Sequence, residues 1–245
     1  MHITATIVTL NEERNIGRAI ESLRCCDEIL IVDSGSVDRT VELAETLGAR
    51  VIVTTWRGYA AQKNWAAGQA GGDWILSLDA DEALSEPLGS EIARLKVGDA
   101  AFDGYTMPRL ARYLGRWIRH SGWYPDRKVR LYDRRKATFV GDFVHESVQV
   151  AGRTGHLHGD LLHYTCDSLS DHVRTLDRYT TLAAQELGAR KARVGRRHLI
   201  LSPPWTFLRT YVFQLGFLDG VEGLVLAWMA AFYTFVKYAK ARHVS

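Results

Sequence analysis

Cysteine is scarce. The 245 residues hold three, two of them adjacent (Cys25, Cys26), with no CxxC and no paired spacing. No disulfide framework can be built from that, and the usage fits a reducing compartment. The opening residues, MHITATIVTLNEE, lack the charged and long apolar regions of a signal peptide. They read as a strand of the fold, so the expected location is the cytoplasm. A spanning helix needs about 20 apolar residues, and the charge-free run GLVLAWMAAFYTFV (223–236) has 14. No internal repeat and no low-complexity linker divides the chain. One large domain, or a domain with an appendage, is the expected organisation.

What is present is an apolar majority and an uneven charge. Hydrophobic residues make up 47%, enough for a sizeable core and against disorder. Residues 1–108 carry 9 Lys/Arg and 17 Asp/Glu, whereas residues 109–245 carry 22 and 11. The two parts are built to meet different things.

Along the first part, ITATIVTL (3–10), EILIVD (28–33), RVIVT (50–54) and DWILSL (73–78) are apolar and rich in β-branched residues. Between them apolar residues recur at helical spacing: Ile16, Ile20 and Leu23, then Val41, Ala44 and Leu47, then residues 59–70. Ser36 is placed to cap the second of these helices, with Asp38 in its first turn, and Gly48 suits its exit. Strands alternating with helices predict a parallel sheet covered on both faces. Ligands of such sheets lie beyond the carboxyl ends of the strands. Those ends carry Thr9, Asn11 and Glu12, then Asp33, and then Asp79 and Asp81. After residue 104, KVRLYD and ATFVGDFVHESVQV read as antiparallel additions to the sheet, and residues 169–190 as a helix.

The segment DWILSLDADE (73–82) is the strongest single signal. Asp79 and Asp81 can both reach one cation from the turn after the strand. Hard divalent ions take carboxylate oxygens, and Mg²⁺ commonly joins one or two of them to substrate phosphates. A solvated acidic turn is the plain alternative. Without a cation the crowded acids repel, and one of the two should hold its proton more tightly. In DSGSVDRT (33–40) the strand-end acid can accept from a nucleobase or ribose, while every residue there also has a use in an ordinary strand–turn–helix.

TLNEERNI, IVDSGSVDRT, WRGYAAQKN and WILSLDADE, in this order, resemble family 2 glycosyltransferases of the GT-A fold. GWYPDRKVRLY, VGDFVHE, LLHYT and the tail extend the likeness to the lipopolysaccharide core β-1,4-glucosyltransferase subfamily, small enzymes of the cytoplasmic membrane face. The resemblance implies a mostly parallel mixed Rossmann-like sheet flanked by helices, with a C-terminal apolar helical extension. Residues 1–104 would form the nucleotide-sugar half, 105–200 the acceptor and catalytic half, and 201–245 helices that associate with a membrane or with each other. The implied donor is a nucleotide sugar, UDP-glucose first. The implied acceptor is a lipid-linked oligosaccharide of the lipid A–core.

Residue roles follow from the same resemblance. Thr9, Asn11 and Glu12 would frame the nucleotide, and Asp33 would contact uracil or ribose. Gln62, Lys63 and Asn64 would touch nucleotide or donor. Asp81 would bind Mn²⁺ or Mg²⁺ directly, Asp79 would lie nearer the ribose as a further ligand, and His163 in LLHYT would be a late metal ligand. Ser34 stands where many relatives carry a second Asp. Glu146 in VGDFVHE would be the base, with His145 beside it and Asp142 as runner-up. A surface ion pair is the alternative for Glu146, and an ordinary structural role the alternative for His163. Glu82 has no assigned role. His156 and His158 read as loop residues.

The stretch 109–136 holds ten Lys/Arg and two Asp among aromatics. It fits an acceptor loop for a phosphorylated glycolipid, with Trp123 and Tyr124 as a sugar platform and Arg127 and Lys128 on phosphate. Nucleic-acid stacking and a plain basic face are the alternatives, and the resemblance disfavours nucleic acid. Trp205, Trp228, Tyr233 and Tyr238, with basic residues on both sides, fit peripheral attachment to the inner membrane face, or a homo-oligomer contact. Rival readings are a polyprenyl-phosphate glycosyltransferase and a non-enzymatic basic module for membrane or RNA. A nucleotidyltransferase would want a glycine-rich loop after the first strand, and TLNEERN is not one.

Overall fold

The computed structural model describes residues 1–98, 100–141, 146–190 and 194–243. The chain begins β1 (Ile3–Thr9), α1 (Ile16–Ser22), β2 (Glu28–Asp33), α2 (Thr40–Thr46), β3 (Arg50–Val53), α3 (Tyr59–Gln69), β4 (Trp74–Asp79), β5 (Glu82–Leu84) and α4 (Glu86–Val97). Strands follow: β6 (Gly104–Tyr113), β7 (Arg116–Ile118), β8 (Asp126–Asp133), β9 (Ala137–Val140), β10 (Ser147–Val150), β11 (Thr154–His156) and β12 (Leu161–Cys166). The rest is helical: α5 (Leu169–Ala189), α6 (Arg196–Ile200), α7 (Ser202–Leu208), a π turn (Arg209–Phe213), a 3₁₀ turn (Gly216–Asp219) and α8 (Gly220–Ala241).

Two compact units result. Met1–Arg109 and Asp126–His163 form the first; Leu110–Pro125 and the chain from Tyr164 onward form the second.

In the first unit β1 pairs in parallel with both β2 and β4, and β2 with β3. β8 then adds antiparallel to β4 and β6 antiparallel to β8. Strand alternation explains why both faces are covered. Ile3, Ala5 and Ile7 of β1, with Ile31, Leu76 and Leu78, face α1, α2 and α4. Leu30 and Val32 face the other way, onto Ala66 of α3. Ile75 does the same against Ala67. Each such Ile or Leu, fully buried, stabilises the fold by about 2 kcal/mol. This is a GT-A-like mixed sheet flanked by helices, followed by an apolar helical extension.

Details of the turns differ from the sequence reading. Ser36 does not cap α2, because its hydroxyl is held between the Asp33 carboxylate and the Asn11 amide. Asp38 Oδ1 accepts the Thr40 amide instead, at 3.0 Å. β9 and β10 pair with one another as a separate two-stranded ribbon rather than extending the main sheet. His156 closes β11 rather than lying in a loop, and His158 rests on Glu91.

In the second unit the end of β6 pairs antiparallel with β7. Tyr113, Ile118 and Leu226 form its buried cluster. α8 lies along α5 and α7. Gly216–Ala241, 26 residues, is long and apolar enough to cross a membrane by length and composition. It is longer than the 14-residue run because it takes in Asp219, which is drawn inside at 2% exposed, and Glu222.

Candidate active site

The carboxyl ends of β1 and β2 are tied together by one carboxylate. Asp33 is fully buried, and Oδ1 accepts the Gly35 and Ser36 amides at 2.8 Å each. Oδ2 accepts the Thr9 hydroxyl at 3.0 Å and the Ser36 hydroxyl. Four donors saturate it. Gly35 turns the chain with φ +98°, a value that favours glycine, and Asn11 at φ +56° is of a residue type that tolerates it. Asn11 then closes the loop by accepting the Val37 amide at 2.9 Å. Asp33 and Thr9 thus shape the strand ends, and in this arrangement Asp33 keeps no free oxygen for a base or ribose.

The end of β4 is different. Asp79 sits between two cations: Lys63 Nζ is 2.6 Å from Oδ1 and Arg130 Nη2 is 2.6 Å from Oδ2. Burial pushes its carboxyl up, but Arg130 and Lys63 together outweigh that and hold it well below the usual carboxylate range. The proton-holding acid is therefore not Asp79. Glu12 is raised instead: burial leads, the Asn15 hydrogen bond opposes, and Asp81, Asp38 and Asp79 add repulsion. Glu82, 1% exposed, accepts the Asp79 amide at 3.0 Å and pairs with Arg130 at 2.7 Å. It fixes the turn that carries Asp81.

Antiparallel pairing of β12 with β5 sets His163 opposite Glu82. His163 Nε2 thereby comes 3.2 Å from Asp81 Oδ2. This pair forms a two-ligand corner. Among the described residues no three His, Cys, Asp or Glu form a metal-holding group. Two protein ligands suit a divalent cation that takes its remaining oxygens from substrate phosphates and water. Asp79, expected as a further ligand, has both oxygens engaged by cations.

Lys63, on the buried face of α3, reaches a second carboxylate, Glu146. Lys63 therefore bridges Asp79 and Glu146. Glu146 Oε1 accepts from Lys63, while Oε2 is inaccessible and has no partner among the described residues. Buried polar atoms are nearly always satisfied, so the exceptions mark a place. Besides Glu146 Oε2 they include Ser34 Oγ, both amide atoms of Gln62, and Arg130 Nε.

Other named residues lie elsewhere. Asn64 accepts the Phe139 amide at 2.8 Å and donates to its carbonyl at 2.9 Å, pinning β9 to α3. Arg127 donates to the Leu157 carbonyl at 3.2 Å, and Lys128 pairs with Asp126 at 3.0 Å. Trp123 and Tyr124 belong to the second unit, where Trp123 packs edge-on against Tyr113 and Arg119 lies over the Tyr124 ring. Asp142 and His145 lie outside the described residues. Arg130 was not singled out in the sequence. The one hint was its spacing two residues after Lys128 on a strand, in a stretch where basic residues are common.

A family model described as glycosyl transferase family 2 matches residues 4–147. An uncharacterized glycosyltransferase of Rickettsia typhi is 32% identical over 99% of this chain and 87% of its own length. A lipopolysaccharide core biosynthesis glycosyltransferase, LpsC of Rhizobium meliloti, is 32% identical over 97% of this chain and 91% of its own. Among solved structures, TarS of S. aureus in complex with UDP-GlcNAc is 16% identical over 100% of this chain and 90% of that one, at a TM-score of 0.49. Glucosyl-3-phosphoglycerate synthase from Mycobacterium tuberculosis, with Mn²⁺ and UDP, is 23% identical over 45% of this chain and 44% of that one, at a TM-score of 0.36. The family model and the sequence relatives carry the assignment.

Proposed function

We propose a specific reaction for this chain, which belongs to glycosyl transferase family 2: transfer of a hexose, glucose first, from a UDP-sugar to a lipid A–core acceptor, with inversion at the anomeric carbon. The observation that carries the reading is Glu146, a half-buried carboxylate with one oxygen fixed by Lys63 and the other inaccessible and without a partner among the described residues.

In this reading Glu146 Oε2 takes the proton of the acceptor hydroxyl. The hydroxyl oxygen forms its bond to the anomeric carbon as the bond from that carbon to the diphosphate oxygen breaks, and the electron pair leaves with the nucleotide. Asp81 and His163 would hold a divalent cation, Mn²⁺ or Mg²⁺, which when bound would offset the charge developing on the leaving diphosphate. Lys63 keeps Glu146 at a fixed distance from the Asp79 turn, and Arg130 with Glu82 holds that turn rigid. The core-biosynthesis name of the Rhizobium meliloti relative supports the acceptor class. A lipid-linked acceptor places the enzyme on the cytoplasmic membrane face.

The test is diphosphate release with Mn²⁺ and a panel of UDP-, GDP- and ADP-sugars, with and without lipid A–core acceptor, followed by NMR of the product anomer. Release from UDP-glucose and an inverted linkage are expected. Folded protein that stays silent across the panel with acceptor present overturns the donor assignment. A retained anomer overturns the role of Glu146.

A further inference from the structure

The second unit carries an outward face of the wrong chemistry for water. On α8 the exposed positions Val221, Leu224, Trp228, Phe232 and Phe235 repeat at helical spacing and are all large and apolar, with Trp228 62% exposed. A surface helix of a water-facing unit shows the opposite pattern. The face continues past α8: Phe207 of α7 lies 4.7 Å from the Trp228 ring, and Trp205 lies 5.7 Å from Phe213. Trp205 and Phe213 are themselves 56% and 63% exposed.

The charge around this face has one sign. From residue 187 to 218 there is no Asp or Glu, against six Lys/Arg. Arg196, Arg197 and Arg209 are exposed and form no ion pair with a described residue. The acids at the head of α8 are engaged, and Asp177 of α5 is paired with Lys240. Asp219 accepts the Arg119 and His120 amides at 3.1 and 3.0 Å, and Glu222 faces Arg116 at 3.9 Å. A second copy that met this face with its own same face would bring the same run of cations against it. A sheet of anionic phosphodiester headgroups over acyl chains complements both the charge and the apolar area.

We propose that this face, formed by α7, the π turn and α8, docks on an anionic phospholipid surface, with α8 lying in the interface. α8 does not stand free to span: Leu226, Ala227 and Ala231 are buried within the unit, and Lys240 Nζ holds Asp177 and Thr181 of α5 at 2.7 and 2.8 Å. This deepens the lipid-acceptor reading by naming the surface, yet its readout is lipid association alone.

The experiment is flotation of the full chain with vesicles of phosphatidylcholine, or of equal parts phosphatidylcholine and phosphatidylglycerol, beside sedimentation equilibrium without lipid. Binding to the anionic vesicles is expected, weakening with salt. Replacing Arg196→Gln and Arg197→Gln together lowers that partition about 25-fold, at about five-fold per cation. Trp228→Ser with Phe213→Ser lowers it further, with circular dichroism unchanged. A chain that ignores anionic vesicles overturns the proposal. So does a lipid-free oligomer that Trp228→Ser dissociates, since the face would then be covered by a second copy.

Discussion

Two strand ends of the first unit look alike in sequence and differ in what they leave unmet. Asp33, after β2, is buried under four hydrogen bonds and keeps no free valence. The Asp79 turn, at the end of β4, is only half-buried, and its neighbours Glu146 and Arg130 keep polar atoms without partners among the described residues. A saturated carboxylate holds the chain; an unsaturated cluster waits for a ligand. The distinction separates Asp33, whose loss costs stability and little turnover, from Glu146, whose loss silences the protein.

The sharpest way to break that distinction is Glu146→Gln. Loss of a general base lowers turnover by about 10³-fold, and diphosphate release at saturating donor and acceptor reads it. Donor KM and the urea midpoint should move little, because Lys63 keeps its pair with Asp79. A variant that unfolds but turns over at the parental rate once refolded would put Glu146 in the structural class.

Arg130→Met comes next. Arg130 and Glu82 are both buried, and removing the cation leaves Glu82 without its closest counter-charge. The expected loss is about 3 kcal/mol in urea unfolding. Arg130→Lys should restore only part of it, since both carboxylates are served by Nη2, at the far end of a longer and planar side chain. Asp33→Asn is expected to be milder, about 2 kcal/mol. The amide offers one acceptor oxygen where Gly35, Ser36 and Thr9 need several, and it turns a donor toward them. Turnover at saturating donor should fall only a few-fold. A thousand-fold loss in folded Asp33→Asn would erase the contrast between the two strand ends.

Titration sharpens it further. Glu12 has its pKa raised by burial and by Asp81, Asp38 and Asp79. Its contribution to stability is complete below the unfolded value of about 4.3 and is lost as pH rises through the folded value. Asp79 is depressed, so its contribution is full above about 3.9 and falls progressively as pH drops from there toward the folded value. Unfolding free energy followed from pH 3 to 8 should therefore decline less on the neutral side in Glu12→Gln, and more steeply on the acid side in the parent than in Asp79→Asn.

Much of this was legible in sequence where the signal is local. Alternation in β1, β2 and β4 and helical spacing between them identify a covered parallel sheet, and the strand-end acids follow. What was not legible depends on long-range pairing. Arg130 becomes a site residue because β8 runs antiparallel to β4 and β6, with a register shift near Tyr105 and Thr106 that no local pattern announces. Asn64 pins β9 through a backbone pairing 75 residues away. Trp123 packs on Tyr113, across a strand turn, and a run of aromatics and arginines cannot tell a core ring from an exposed platform.

Gln62 gives the smallest effect and the most direct reading of unmet valence. It is fully buried on α3, one turn before Ala66 and next to Lys63, with neither amide atom hydrogen-bonded. An unsatisfied buried amide destabilises the fold, and an apolar side chain of the same length removes that penalty. Gln62→Met should therefore raise stability by about 1 kcal/mol, read as a higher urea midpoint at unchanged slope. If the amide is held in reserve for the donor, the same change raises donor KM while leaving kcat near the parental value. A gain in stability with no change in KM would make Gln62 a packing residue. A loss of stability would mean that the amide is satisfied in solution, by a buried water, and that Gln62 does not belong with the unmet valences of Glu146, Arg130 and Ser34.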